Sequence, residues 1–264
     1  MSVKIVKKTL NNSHFKFCAM AILPSPDESE NYKGQWGVFT HGYTASKRDC
    51  LPWAQRFAET GAPAVFFDLP GHYLGSFHEV ESFEEFKEHA HECFIDAYEF
   101  LKEALEDNGY SIECTDLILG GHSLGAMLSL KALELLEFSE FKKLAICIGL
   151  GIGQHKETHL FESSFYQKTL DVRRQLVSPA IDSDLVFPWI KNEKLSVTLT
   201  DERVHLICGQ DDVVVGPGGM EALEFNLKSL GNNVTSQEPK KLPHHEPTMA
   251  ATHINSFMRK EFNW

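Results

Sequence analysis

The chain has 264 residues, 42% of them apolar and 23% charged, the composition of one large globular domain or two small ones. Twenty-five Lys and Arg stand against thirty-seven Asp and Glu, a net charge of −12, which argues against nucleic acid or an anionic membrane as partner. Both are bound through cationic side chains that meet phosphate.

The first ten residues are Lys-rich with no apolar stretch behind them, so no secretory leader is expected. The longest early apolar run, 17–23, is far short of the roughly 20 residues that cross a bilayer, so no membrane span is expected. Residues 3–9 and 14–23 precede any helix and read as an antiparallel pair at a sheet edge, followed by a polar, turn-rich hairpin loop at 24–33. Short apolar runs at 37–40, 64–67, 117–119, 144–150 and 204–208 then alternate with helix-like segments near 50–60, 83–107, 124–138, 219–230 and 247–262. Near-continuous apolar strands alternating with helices predict a parallel sheet covered on both faces.

In 83–107, Phe86, Ala90, Phe94, Ala97, Leu101 and Leu105 share one helical face, and Glu84, Glu88, Glu92, Glu99 and Glu103 the other. In 124–138, Leu124, Met127, Leu128, Leu130, Leu133, Leu135 and Leu136 leave little polar face, which predicts a helix buried on the sheet. Residues 152–200 hold polar stretches, Pro179, Pro188 and scattered aromatics but no strand. They read as a helical cap inserted into a core formed by 1–151 and 201–264, because a structureless loop of that length is improbable in a compact domain. Six cysteines lie apart with no C-x-x-C pair, as expected of buried thiols in a reducing, cytoplasmic location.

Gly121-His122-Ser123-Leu124-Gly125 follows a strand and opens a helix. A bare pentapeptide of this kind fits a glycine-rich turn with a capping serine, but strand before and helix after are the context of a nucleophile elbow. A serine hydroxyl needs a base, and the base an orienting acid. Downstream, the strand at 204–208 ends in Gly209-Gln210-Asp211-Asp212, and His244 and His245 follow the last strand-like stretch; either acid and either histidine fits that order. His41-Gly42-Tyr43 follows the strand ending at Thr40, so the N–H groups of Tyr43 and Leu124 are candidate oxyanion donors. Phe161, Phe165, Phe187 and Trp189 are candidates to line a substrate pocket, or to form the cap's own core. His155 and His159 are spaced i, i+4 but lack an acid at a zincin spacing, and Gly149 to Gly153 lacks the G-x-G-x-x-G form. No metal and no cofactor is expected.

On these residues the chain resembles the α/β-hydrolase superfamily, in its serine esterase, lipase and S33-peptidase-like branch. The motifs are His41-Gly42-Tyr43-Thr44, Asp68-Leu69-Pro70-Gly71-His72, the Ser123 pentapeptide, Gly209-x-x-Asp212 and His245-Glu246. The resemblance implies an α/β fold with a mostly parallel, roughly eight-stranded sheet, helices on both faces and an inserted cap. It implies Asp212 as the acid, three residues after the glycine, and His245 as the base, since it is followed by Glu and x-Pro. The family's D-x-x-G-H-G-x-S stretch departs here, running on through Tyr73-Leu74-Gly75-Ser76. The implied activity is cofactor-free hydrolysis of a small-molecule carboxylic ester through an acyl-enzyme, with peptide or thioester cleavage, or a silent ligand-binding scaffold, as alternatives.

The acidity is local: residues 79–107 hold eleven acids against Lys87 and Lys102, while 152–200 hold six acids and six bases. A neutral, aromatic cap predicts an uncharged acyl group of small to medium size.

Overall fold

The computed structural model describes residues 3–25, 32, 34–153 and 164–264, with the side chains of all these except 164–167. The strands are β1 (Lys4–Asn11), β2 (Lys16–Leu23), β3 (Gln35–Thr40), β4 (Ala64–Phe67), β5 (Asp116–His122), β6 (Lys142–Ile148), β7 (Arg203–Ile207) and β8 (Asn233–Gln237). They form one eight-stranded sheet in the order β1-β2-β4-β3-β5-β6-β7-β8. β1 and β2 are antiparallel to each other, β2 is antiparallel to β4, and every pairing from β4 to β8 is parallel. β1 is mostly exposed and carries Lys4, Lys7 and Lys8, charges that keep an open edge from pairing with another strand.

The helices are α1 (Leu51–Glu59), α2 (Phe83–His89), α3 (Cys93–Asp107), α4 (Leu124–Ala132), α5 (Ser164–Arg174), α6 (Ser183–Leu195), α7 (Gly219–Ser229) and α8 (Ala251–Phe262). Side chains alternate across a strand, so neighbours in the central strands feed opposite cores. Phe66, Ile118 and Ile146 join Trp53 and Phe57 of α1 and Ile254 and Phe257 of α8. Phe67, Leu119 and Cys147 join Phe94 and Leu101 of α3, Leu128 of α4 and Leu223 of α7 on the other face. All six cysteines are free thiols, four of them buried.

Two expected helices are shorter than their patterns. The 83–107 segment is broken by a 3-10 turn at Ala90–Glu92, which buries Ala90 and packs on α4. The 124–138 segment ends as a regular helix at Ala132, and the N–H groups of Leu133, Glu134 and Leu135 turn back to carbonyls three residues earlier. That tightening swings Leu136 off the buried face, and it is 83% exposed.

β3 sits between β4 and β5, so the chain leaves it in one direction and returns on its other side. In open α/β sheets that reversal leaves a crevice at the carboxyl ends of the strands. The extended turn after Asp68 lies beside this crevice and is tied to the β6–β7 segment. Tyr73 N–H donates to Leu176 O, and Ser178 N–H donates to Gly71 O. Gly75 sits against the buried Asp68, where an added Cβ would meet the carboxyl carbon at 2.0 Å.

Candidate active site

Ser123 stands between β5 and α4 with φ 50° and ψ −109°, a strained conformation for a residue with a Cβ. Two close approaches create the turn. A Cβ at Gly121 would lie 2.4 Å from the carbonyl carbon of Gly125, and one at Gly125 would lie 2.4 Å from His41 O. Ser123 N–H donates to Ile148 O at 2.8 Å, which locks the elbow to β6. Leu124 opens α4, so its N–H is among those that have no carbonyl one turn back.

The loop after β3 is anchored by His41, which is fully buried. Leu69 N–H donates to its Nε2 at 2.9 Å, so the ring proton is on Nδ1, 2.8 Å from Gly42 O. Burial pulls the His41 pKa down to about 4, so the ring is neutral and the Asp68 carboxylate 3.8 Å away is not an ion-pair partner. Asp68 instead accepts from Lys47, through its N–H and its ammonium. Gly42 C=O and Tyr43 N–H belong to one planar trans peptide and point oppositely. With the carbonyl held on His41, the Tyr43 N–H is turned to the other side.

Asp212 follows β7 and is 5% exposed. Its Oδ1 accepts from the N–H groups of Val214 (3.0 Å) and Val215 (2.9 Å). Its Oδ2 lies 2.8 Å from Nδ1 of His244. Burial pushes the carboxyl pKa up, but His244 and the two N–H donors outweigh it and hold it below the ordinary value. Asp211 turns away, and its Oδ1 accepts from Leu242 N–H at 2.8 Å. Gly209 lets the two loops touch, since a Cβ there would lie 2.1 Å from Leu242 O.

The histidine that meets Asp212 is therefore His244 and not the expected His245. The Asp211–Leu242 bond fixes the start of the loop, and two residues on it is His244, 9% exposed, that turns inward. His245 is exposed, its ring plane at right angles to that of His244 with centroids 5.5 Å apart, and it lines the same cavity as His244 without meeting Asp212. Burial, then His244 and Arg173, lower its pKa. Beneath His244 lies His122, centroids 4.7 Å apart, buried and with its pKa depressed first by desolvation.

Ser123, His244 and Tyr43 line one cavity of about 60 Å³. On α6, Phe187, Ile190 and Lys194 recur at helical spacing along its wall, and Arg173 of α5 joins them. Of the expected pocket aromatics, Phe187 lines the cavity, its ring 5.2 Å from that of Tyr43. Trp189 does not. Two residues along a helix face nearly opposite ways, and Trp189 packs on Phe83 and Phe86 instead. Phe161, His155 and His159 lie outside the described residues, as does the side chain of Phe165. Arg173 and Lys194 escaped the sequence reading, which balanced the segment's charge as a sum; the i, i+3, i+7 spacing of Phe187, Ile190 and Lys194 was the available signal.

Among the described residues, His14, His89 and Glu92 alone bring three potential metal-ligand atoms close together, away from this cavity. The two rings are stacked 3.7 Å apart at 7°. An ion in the plane of one ring would be out of the plane of the other, so this arrangement is not a formed metal site. No described helix is long and apolar enough to cross a membrane.

With this fold and elbow, the sequence profile of the alpha/beta hydrolase family matches residues 38–220, and the chain belongs to that family. No curated protein matches the sequence. Among solved structures, the Pyrococcus horikoshii acylaminoacyl peptidase superposes with a TM-score of 0.63 at 15% identity, covering 98% of this chain and 41% of its own. Est1E from Butyrivibrio proteoclasticus gives 0.59 at 12% identity, covering 98% and 99%. A Pyrococcus furiosus esterase, Pf2001, gives 0.63 at 16%, covering 98% and 91%. At these identities the likeness is one of fold.

Proposed function

We propose that the protein is a serine hydrolase that cleaves carboxylic esters through an acyl-enzyme. The observation that carries this reading is the 2.8 Å Asp212–His244 contact, whose histidine lines the same cavity as the elbow serine. Asp212 holds the Nδ1–H tautomer of His244, which leaves Nε2 as the base. Ser123 Oγ attacks the ester carbonyl as Nε2 takes its proton. The N–H groups of Tyr43 and Leu124 receive the oxyanion. The intermediate collapses, His244 returns the proton to the departing alcohol, and water repeats the sequence to release the acid. The helices between β6 and β7 act as the cap and shape the acyl site through Phe187 and Ile190. The esterases among the similar structures agree with this chemistry, and the same centre on an amide would make a peptidase.

The test is hydrolysis of p-nitrophenyl butyrate with fluorophosphonate labelling of the native chain and Ser123→Ala. The native chain is expected to turn over the ester and take the label on Ser123, and the variant to do neither. Equal turnover by both would remove Ser123 from the mechanism, and an unlabelled, inactive native chain would make this a silent scaffold.

A further inference from the structure

Resting on that reading of Ser123 and His244, we propose that the cavity selects esters that also carry a carboxylate, with Lys194 and Arg173 as its anion-binding residues. The described cavity wall holds these two cations and no carboxylate. Lys194 is in the last turn of α6, where a lysine often serves its own helix's terminal carbonyls. Its ammonium instead donates to Gly151 O, 2.6 Å away in the loop after β6. An ammonium has three donors, and this is its one hydrogen bond to a described residue. Burial lowers its pKa to about 8, with Asp212 opposing the shift, so it remains mostly cationic at neutral pH. A partly desolvated ammonium held by one carbonyl is an incomplete site, and a ligand anion completes it.

Arg173 is oriented by the core. Its Nη1 donates to Thr44 Oγ1 at 2.9 Å and its Nε to Thr169 Oγ1 at 3.4 Å, which sets the guanidinium beside the Tyr43 loop. Three described acids of the segment pair with other cations. Asp182 and Asp184 pair with Arg174, and Glu193 pairs with Lys131. A segment that is neutral in sum thus places Lys194 and Arg173 on the described cavity wall. The proposal departs from the uncharged acyl group expected from the segment's net charge, since a cavity meets individual side chains.

The experiment separates binding from turnover. Ser123→Ala is titrated calorimetrically with monomethyl succinate and with methyl levulinate, its neutral isostere, while the native chain is assayed on both by acid release. The anionic ester is expected to bind Ser123→Ala at least about tenfold more tightly, a preference that Lys194→Gln in the same background removes and Lys194→Arg retains. Matched unfolding midpoints show that the variants are folded. The preference should also fade as pH rises through about 8, where Lys194 loses its proton. Equal binding of the two esters, or a preference that survives Lys194→Gln, would overturn the proposal while hydrolysis by the native chain still upholds the catalytic reading. Selective binding without hydrolysis would uphold the anion site and sink the catalytic reading.

Discussion

Asp212 Oδ2 and His244 Nδ1 lie 2.8 Å apart, with both side chains almost wholly shielded from water. Because the carboxylate accepts only, Nδ1 carries the proton and Nε2 is the nitrogen left to act as base.

His244→Ala should lower kcat for a p-nitrophenyl ester by at least about 10³-fold, while His245→Ala should cost far less. Steady-state kinetics of the two variants decide between them. The reverse order would move the base to the exposed ring and leave the Asp212 contact as structure alone.

The two adjacent acids should separate in the same way. Asp212→Asn presents an amide to His244 and permits the wrong tautomer, a loss of about 10⁴-fold in a comparable triad. Asp211→Ala removes the acceptor for Leu242 N–H and should cost about 1 kcal/mol of stability with a smaller kinetic effect. Urea melts alongside kinetics would show whether the two effects divide as expected.

His41 touches no reacting atom but holds the Gly42–Tyr43 peptide through Gly42 O. His41→Ala frees that peptide to rotate and should reduce kcat by about 10²-fold, the range for loss of one oxyanion donor, with KM less affected. A variant that keeps native kcat would mean that other contacts position the Tyr43 N–H.

Acid should destabilise the fold from a pH set by buried histidines. Burial lowers the pKa of His41 and His205 to about 4 and that of His72 to about 3. The unfolded chain takes up protons at these positions below about pH 6.5, and the folded chain does so only near those lower values. Stability is therefore fully present above about 6.5 and falls between there and about 4 for His41 and His205, and on to about 3 for His72, by up to about 1.4 kcal/mol per pH unit for each such histidine. His205, stacked on Phe257 at 3.6 Å, lies away from the cavity. His205→Gln should flatten the slope of unfolding free energy against pH by about one proton, measured by urea titration across pH 4–7. An unchanged slope would show that His205 is not held neutral.

The order of residues was enough to reveal the strand–helix alternation, because residues buried on both faces of a sheet must be apolar and those on one face of a helix must recur with its period. It also marked where the elbow lies, since two glycines around Ser123 answer backbone approaches of 2.4 Å that no larger residue permits. It could not choose between His244 and His245. Neighbours in an irregular loop share no periodicity, and the choice rests on a long-range bond from Asp211 that holds Leu242. Nor could a charge total reveal the inward turn of Lys194. Direction is a property of helical phase and packing, and the tertiary structure alone sends its ammonium to Gly151 O, 43 residues back along the chain.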